Sequence, residues 1–302
     1  MRGMRYKGWV CLLLTALFFL QGSGMGETED VQINVLPAGE VAPILPDPSA
    51  YFPDGSGYAD DTISVHIETT RAFDTKIFLT YVRIADASQL RTAGAKSGAF
   101  DRGRISKKPV YAEIIARRVH AVLAIDGDYF VDRKECCIIR NFVLQREADF
   151  GTYDALLIDA RGDMHILKTP SRKDFEAAAD TWGPIMHSFA FGPGLIIDVE
   201  VQEDYCADTM GGTKKRAQSQ VLCQTGPLSY LCVTCHGPEQ KGSKGLTLPE
   251  LGEFLSELGV EQAYNLDGGS STWLVLNGEK INTRSKRPIA DILSFATAHQ
   301  GE

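Results

Sequence analysis

The sequence predicts an α+β fold: one sheet-rich domain with a few helices. Three observations carry this. Short runs rich in Val, Ile, Leu, Tyr and Phe recur along the chain, with Gly, Asp, Asn or Pro between them. Only three stretches show helical spacing and caps. The 302 residues, 44% of them hydrophobic, suffice for a sizeable core. No internal repeat is visible.

Residues 1–24 combine a basic start (Arg2, Arg5, Lys7), an apolar run from Trp9 to Leu20, and small residues at Gly22, Ser23 and Gly24. This is the pattern of a secretory signal peptide; an uncleaved N-terminal anchor is the alternative. The run is short for a transmembrane helix of roughly 20 apolar residues. Val10 precedes Cys11, which argues against a lipoprotein anchor. No later segment reads as membrane-spanning. Residues 25–60 hold Pro37, Pro43, Pro46, Pro48 and Pro53 with few apolar residues between them. They read as a Pro-rich linker or arm. The folded domain is expected over residues 61–302.

That domain opens with TISVHIE, which alternates like a half-buried strand, and the β-rich KIFLTYVRIAD. PVYAEIIARRV (109–119) reads as a helix with Pro109 in its first turn. HAVLAI (120–125) is a buried strand running into DGDYF. Short strands follow: IIRNFVLQ, ALLIDA, MHILKT, GLIIDVE, AQSQVLC and LSYLCVT. Between Ala160 and Met164 a hairpin turn is expected; its Arg161-Gly162-Asp163 triplet is read as that turn, not as an adhesion tripeptide. SRKDFEAAAD is a helix capped by Ser171. TLPELGEFLSELG is an amphipathic helix with Thr247 as N-cap and Gly259 as its stop. AYNL is a strand, DGGSS a tight turn, and TWLVL-NGE-KIN a hairpin.

The net charge is −8, and −11 once residues 1–24 are removed. Such a surface repels nucleic-acid backbones and anionic lipids, so nucleic acid is not an expected partner and an anionic substrate needs a local basic cluster. Loss of Cys11 leaves six cysteines: Cys136, Cys137, Cys206, Cys223, Cys232 and Cys235. An even number in an exported chain permits disulfides. Cys232, Cys235 and His236 spell C-x-x-C-H, the spacing of c-type haem attachment. The motif ends a β-type run and is followed by Gly237 and Pro238, which discourage the helical turn that attachment needs. A structural Cys232–Cys235 disulfide, or a separate partner for each, is the favoured reading. No second Cys/His pair stands at zinc-ligand spacing.

Two polar turns carry the candidate chemistry. In AYNLDGGSSTWLVLNG a strand delivers Asn265 and Asp267 to a turn. Gly268 and Gly269 permit backbone conformations closed to other residues. Successive N–H groups there, with the hydroxyls of Ser270, Ser271 and Thr272, suit a phosphate or a sugar. A plain hairpin with an Asx-turn at Asp267 is the alternative. In AIDGDYF, Asp126 and Asp128 lie two apart, which on a strand puts both on one face. They suit an acid/base pair or a divalent-cation site. No cofactor is otherwise required.

NLDGGSST and AIDGDYF together resemble the phosphodiester glycosidase family. RNFVLQRE (140–147), DALLIDARGD (154–163), FGPGLIID (191–198), KKRAQSQ (214–220), GSKGLTLPEL (242–251) and RPIADILSF (287–295) fit the same pattern in the same order. The resemblance spans about residues 62–298 and implies a mixed α/β fold and glycosidic hydrolysis. This chain has Cys235-His236 where the family commonly has Gly-Arg, Asp126 where Asn is common, and altered residues from Ala217 to Gln220. The resemblance implies a hydrolase that cleaves a sugar-1-phosphodiester by C–O cleavage; with the N-terminal signal pattern it is expected to be exported and to act on a cell-surface or extracellular glycan. Arg216, His236 and the N–H groups of Gly268–Ser271 would cradle the phosphate, since arginine grips phosphate with paired hydrogen bonds. Asp267 would be the carboxylate at the anomeric carbon, with Asp126 and Asp128 as partners. Arg284, Lys286 and Arg287 form a further basic cluster, read as a solvated loop with substrate recruitment as the alternative. The alternatives are a non-catalytic binder of phosphorylated polysaccharide and a c-type haem protein.

Overall fold

The structure, a computed structural model, describes residues 44–95, 108–130, 133, 137–147, 150–205, 212–283 and 287–299. The signal-peptide segment, most of the Pro-rich stretch, Cys136, Cys206, Arg284 and Lys286 lie outside the described residues. In chain order the strands are β1 (Gly57–Ala59), β2 (Ile63–Ala72), β3 (Thr75–Ile84), β4 (Leu90–Gly94), β5 (Leu123–Asp126), β6 (Ile138–Arg140), β7 (Val143–Arg146), β8 (Ala155–Asp159) and β9 (Met164–Leu167). They continue with β10 (Ile185–Phe189), β11 (Gly194–Ile197), β12 (Glu200–Val201), β13 (Ser219–Gly226), β14 (Ser229–Cys235), β15 (Gln262–Asn265), β16 (Leu274–Leu276), β17 (Glu279–Lys280) and β18 (Asp291–Phe295). The helices are α1 (Ala112–Arg118), α2 (Arg172–Trp182) and α3 (Leu248–Ser256).

Two sheets face each other. The larger runs β1-β2-β3-β14-β13-β15-β11-β12, and the smaller β17-β16-β5-β18-β4. Alternation along each strand sends one set of side chains between the sheets and the other outward. Phe78, Val82, Leu222, Tyr230 and Tyr264 of the larger sheet meet Leu123, Ile125, Leu274, Leu293 and Phe295 of the smaller in one buried core. On the outer face of the larger sheet, Leu79, Val221 and Val233 pack under Leu251, Phe254 and Leu255 of α3. Ile115 and Ala116 of α1 cover Ala124, Val275 and Ile292 on the outer face of the smaller. The order of layers is α3, sheet, sheet, α1. A third sheet, β10-β8-β9, carries α2 and feeds Leu156 and Ile158 into the central core. The fold is therefore sheet-rich with a few helices, as expected.

The caps form as the sequence indicates. Ser171 accepts from the Asp174 N–H, Thr247 from the Glu250 N–H, and each closes a capping box. The Arg161-Gly162-Asp163 stretch is the β8–β9 turn, with the N–H groups of Arg161 and Asp163 donating to Asp159 Oδ1. Three local expectations change. IIRNFVLQ is not one strand but the β6–β7 hairpin, turned by Asn141 and Phe142 at φ 49° and 65°. GLIIDVE folds back likewise at Asp198 and Val199 to make β11 and β12. Pro109 stands outside α1: Val110 bridges to Ile289 and Tyr111 is the N-cap residue. Strand β1, in the stretch read as an arm, pairs antiparallel with β2. Among the described residues no helix is long and apolar enough to cross a membrane.

Candidate active site

The C-x-x-C-H motif lies at the end of β14. Cys232 and Cys235 lie three residues apart on central strand β14, so their thiols leave opposite faces of the sheet. Cys232 enters the core between the sheets, and Cys235 the core beneath α3. Both are free and buried, and burial pushes both thiols up. A Cys232–Cys235 disulfide is thereby corrected: a flat extended strand holds the pair apart. The same geometry corrects the haem reading, since thioether bonds need two accessible thiols on one side. Cys223 is also free and buried.

The glycine-rich turn follows β15. Asn265 anchors its start, donating Nδ2–H to the Gly192 carbonyl at 2.9 Å. Asp267 then sits beside a second turn: its N–H lies 3.5 Å from the Gly127 carbonyl oxygen. Gly269 takes φ +61°, which explains one glycine of the pair. The nest does not open as expected. The Gly268 N–H donates to Asp267 Oδ1, the Gly269 N–H to the Gln218 carbonyl and the Ser271 N–H to the Gly268 carbonyl. Those three donors close the turn, and Ser270 lines the cavity above it.

A cavity of about 530 Å³ opens over this turn. Asn265, Asp267, Gly268, Gly269, Ser270 and Arg287 line it, and Lys215 and Gln218 join them. Phe191, Pro193, Leu246 and Leu248 form an apolar part of the wall, with the Gly192–Pro193 peptide cis. Asp267 is 7% exposed. Burial pushes its carboxyl up to about 6, and the charge of Asp128 adds to this. The Ser271 hydroxyl, the Gly268 N–H and the Arg287 guanidinium pull the other way.

The second turn supports Asp267 from below. Asp126 ends β5, and its Oδ1 accepts the Trp273 N–H at 2.6 Å. Burial pushes this carboxyl well above the usual range, and the charges of Asp267 and Asp291 push it further. Its Oδ2 has no hydrogen-bond partner among the described residues. Asp128 turns to other neighbours, accepting from Tyr129 N at 2.7 Å and Ala190 N at 2.9 Å, with Arg140 Nη2 3.7 Å away. Gly127 between them is required by space: a Cβ there would stand 2.6 Å from Asp291 Oδ1. The two carboxylates do not fit a resident divalent cation. Asp128 has both oxygens on N–H donors beside a guanidinium, and Asp126 favours its proton. Among the described residues no other acidic, histidine or cysteine cluster suits a metal.

Ser271, Thr272, Arg216 and His236 are not among the cavity-lining residues. Ser271 and Thr272 are buried at the end of the turn. Arg216 donates to the Gly245 carbonyl at 2.7 Å and pairs with Glu250, whose side chain completes the capping box of α3. His236 packs against Phe78, with ring centroids 5.5 Å apart. Burial, Lys76 and Arg71 push its ring down, so it favours the neutral form. The residues missed by sequence reasoning are Lys215, Arg140 and Asp291. Arg140 and Asp291 are wholly buried, with Nε–Oδ2 at 3.0 Å. All three lie inside stretches that carried the resemblance, KKRAQSQ, RNFVLQRE and RPIADILSF, but nothing there marks them apart from their neighbours.

Comparison with known proteins agrees with this architecture. Solved structures with the same fold include the catalytic domain of zebrafish N-acetylglucosamine-1-phosphodiester alpha-N-acetylglucosaminidase, auto-inhibited by its pro-peptide. It is 17% identical, with a TM-score of 0.60 over 78% of this chain and 83% of that one. A hypothetical protein from Synechocystis is 14% identical, with a TM-score of 0.57 over 78% of this chain and 62% of that one. A Burkholderia pseudomallei protein described as a candidate exported protein is 12% identical, with a TM-score of 0.52 over 74% of each chain. No curated protein matches the sequence. The family model for phosphodiester glycosidases matches residues 120–296, which include both carboxylate turns, β13, β14 and α3. By that match the chain belongs to the phosphodiester glycosidase family.

Proposed function

We propose that the protein is an exported phosphodiester glycosidase that releases free sugar from a sugar-1-phosphodiester on a cell-surface or extracellular glycan. One observation carries this reading: a nearly buried carboxyl, Asp267, faces a cavity whose wall also holds Lys215 and Arg287. The two cations suit a phosphodiester, which is anionic at any physiological pH. In this reading the anomeric C–O bond breaks and the phosphate leaves with the electron pair. That leaving group is a stable anion and needs little protonation, so one carboxylate near the sugar suffices where ordinary glycoside cleavage uses two. Ionised Asp267 stabilises the cationic sugar and accepts the proton of the incoming water. Asp126 and Asp128 shape the site from behind, because neither lines the cavity.

Export rests on the N-terminal pattern, with the Burkholderia neighbour as support. The test is incubation of the full chain with UDP-N-acetylglucosamine and a panel of sugar-1-phosphodiesters, reading free sugar against sugar phosphate. Free sugar supports the proposal. Saturable binding with no turnover would replace it with a phosphoglycan-binding protein.

A further inference from the structure

Arg287 is one of two exposed cations of the cavity wall, beside Lys215. Its backbone is pinned on both sides: its N–H donates to the Ser270 carbonyl at 3.2 Å, and its carbonyl accepts the Trp273 indole N–H at 3.1 Å. Its guanidinium is held by one side chain. Nη2 donates to the Tyr129 hydroxyl at 3.0 Å, and the guanidinium carbon stands 5.0 Å from the centre of the Tyr129 ring. No carboxylate among the described residues stands within ion-pair distance of it, although its charge reaches the Asp267 carboxyl in the same cavity wall. Tyr129 is fixed in turn, since its N–H donates to Asp128 Oδ1 at 2.7 Å, and Asp128 lies beside buried Arg140.

The choice of partner matters chemically. A carboxylate would orient the arginine and cancel its charge. A phenol orients it through a hydrogen bond and a ring face, and leaves the charge whole. A free arginine would lose rotamer freedom on meeting its ligand; one already held loses less. We propose that Tyr129 is a positioning residue that presents Arg287, at full charge, to the phosphate of an anionic substrate. The site thereby selects sugars joined through phosphate over neutral glycosides. This rests on the cavity being the phosphodiester site.

The test uses the full chain with inorganic phosphate as the probe, measured by calorimetric titration, beside steady-state hydrolysis of a sugar-1-phosphodiester. Tyr129→Phe keeps the ring and loses the acceptor. The donor of this hydrogen bond is charged, and a bond of that class corresponds to about 12- to 160-fold at most, so phosphate Kd and KM rise by up to that factor while kcat stays nearly constant. Tyr129→Ala removes both contacts and weakens phosphate further. Tyr129→Glu supplies the charge-cancelling acceptor and abolishes phosphate binding. An unchanged Kd and KM in both Tyr129→Phe and Tyr129→Ala would overturn the proposal, as would a wild-type chain that does not bind phosphate. Phosphate binding that shifts as described, with no hydrolysis of any diester, leaves the positioning intact and removes the glycosidase reading. Hydrolysis with KM unmoved by Tyr129 does the reverse.

Discussion

Arg140 Nε donates to Asp291 Oδ2 at 3.0 Å, and both side chains are wholly buried. The same guanidinium faces Asp128, which lies 3.7 Å from Nη2. Phe130 and Phe189 flank it, with ring centres at 5.4 and 4.3 Å. Burial still pushes Asp291 up to about 6, against the pull of Arg140. The cluster joins β6, β18 and the turn after β5, and so fixes the floor beneath Asp267.

Removing the cation alone strands these carboxylates in the core. Arg140→Met is expected to cost about 3–5 kcal/mol, the range for breaking a buried ion pair. Asp291→Asn keeps an acceptor for Arg140 and costs less. Urea denaturation ranks the two, and equal costs would contradict this account.

The stability of the site carboxylate has a defined sign. Asp267 has a folded-state value of about 6, raised from an ordinary 3.8. The unfolded chain therefore ionises first, and stability falls as pH rises between those values. Above both, the burial penalty is fully present, on the order of 3 kcal/mol. Asp267→Asn removes it. The variant is expected to be more stable than wild type at neutral pH and to show little gain near the ordinary carboxylate value. Thermal melts at the two pH values check the sign.

The same shift sets the activity profile. If ionised Asp267 acts at the sugar, kcat/KM rises with pH through about 6. Asp126 interacts with this group and in turn with Asp291, and Asp128 acts on it too, so the observed value belongs to the cluster. A profile flat through that region would exclude Asp267 as the titrating base.

The buried thiols give a chemical test of the fold. Cys223, Cys232 and Cys235 are expected to resist alkylation in the native chain and to react once it is unfolded. Mass mapping after iodoacetamide treatment reads each position. Labelling of native Cys232 or Cys235 would contradict their burial in the two cores on either side of β14.

The alternation at the start of β2, the β-rich run of β3, the caps at Ser171 and Thr247, and the Asn277-Gly278 turn were legible because each follows from local chemistry. The β6–β7 hairpin was not. Its turn puts Phe142 at positive φ, where no sequence rule expects an aromatic residue. The cysteine motif misled because spacing says nothing of which face a thiol leaves. Asp267 was legible from the glycines beside it. Arg140 and Asp291 were not, because a charged residue in a short strand ordinarily faces water, and only the assembled sheets bury this pair together. Arg216 drew attention over Lys215 for its hydrogen-bonding fork, yet Glu250 at the start of α3 takes that fork.

The most direct measurement is hydrolysis of a sugar-1-phosphodiester in ¹⁸O-labelled water, with wild type beside Asp267→Asn. Cleavage at the sugar puts the label on the anomeric oxygen of the released sugar and none in the phosphate, and the variant loses that product. Label in the phosphate would mean that the P–O bond breaks. That result, or full turnover by Asp267→Asn, would contradict the account.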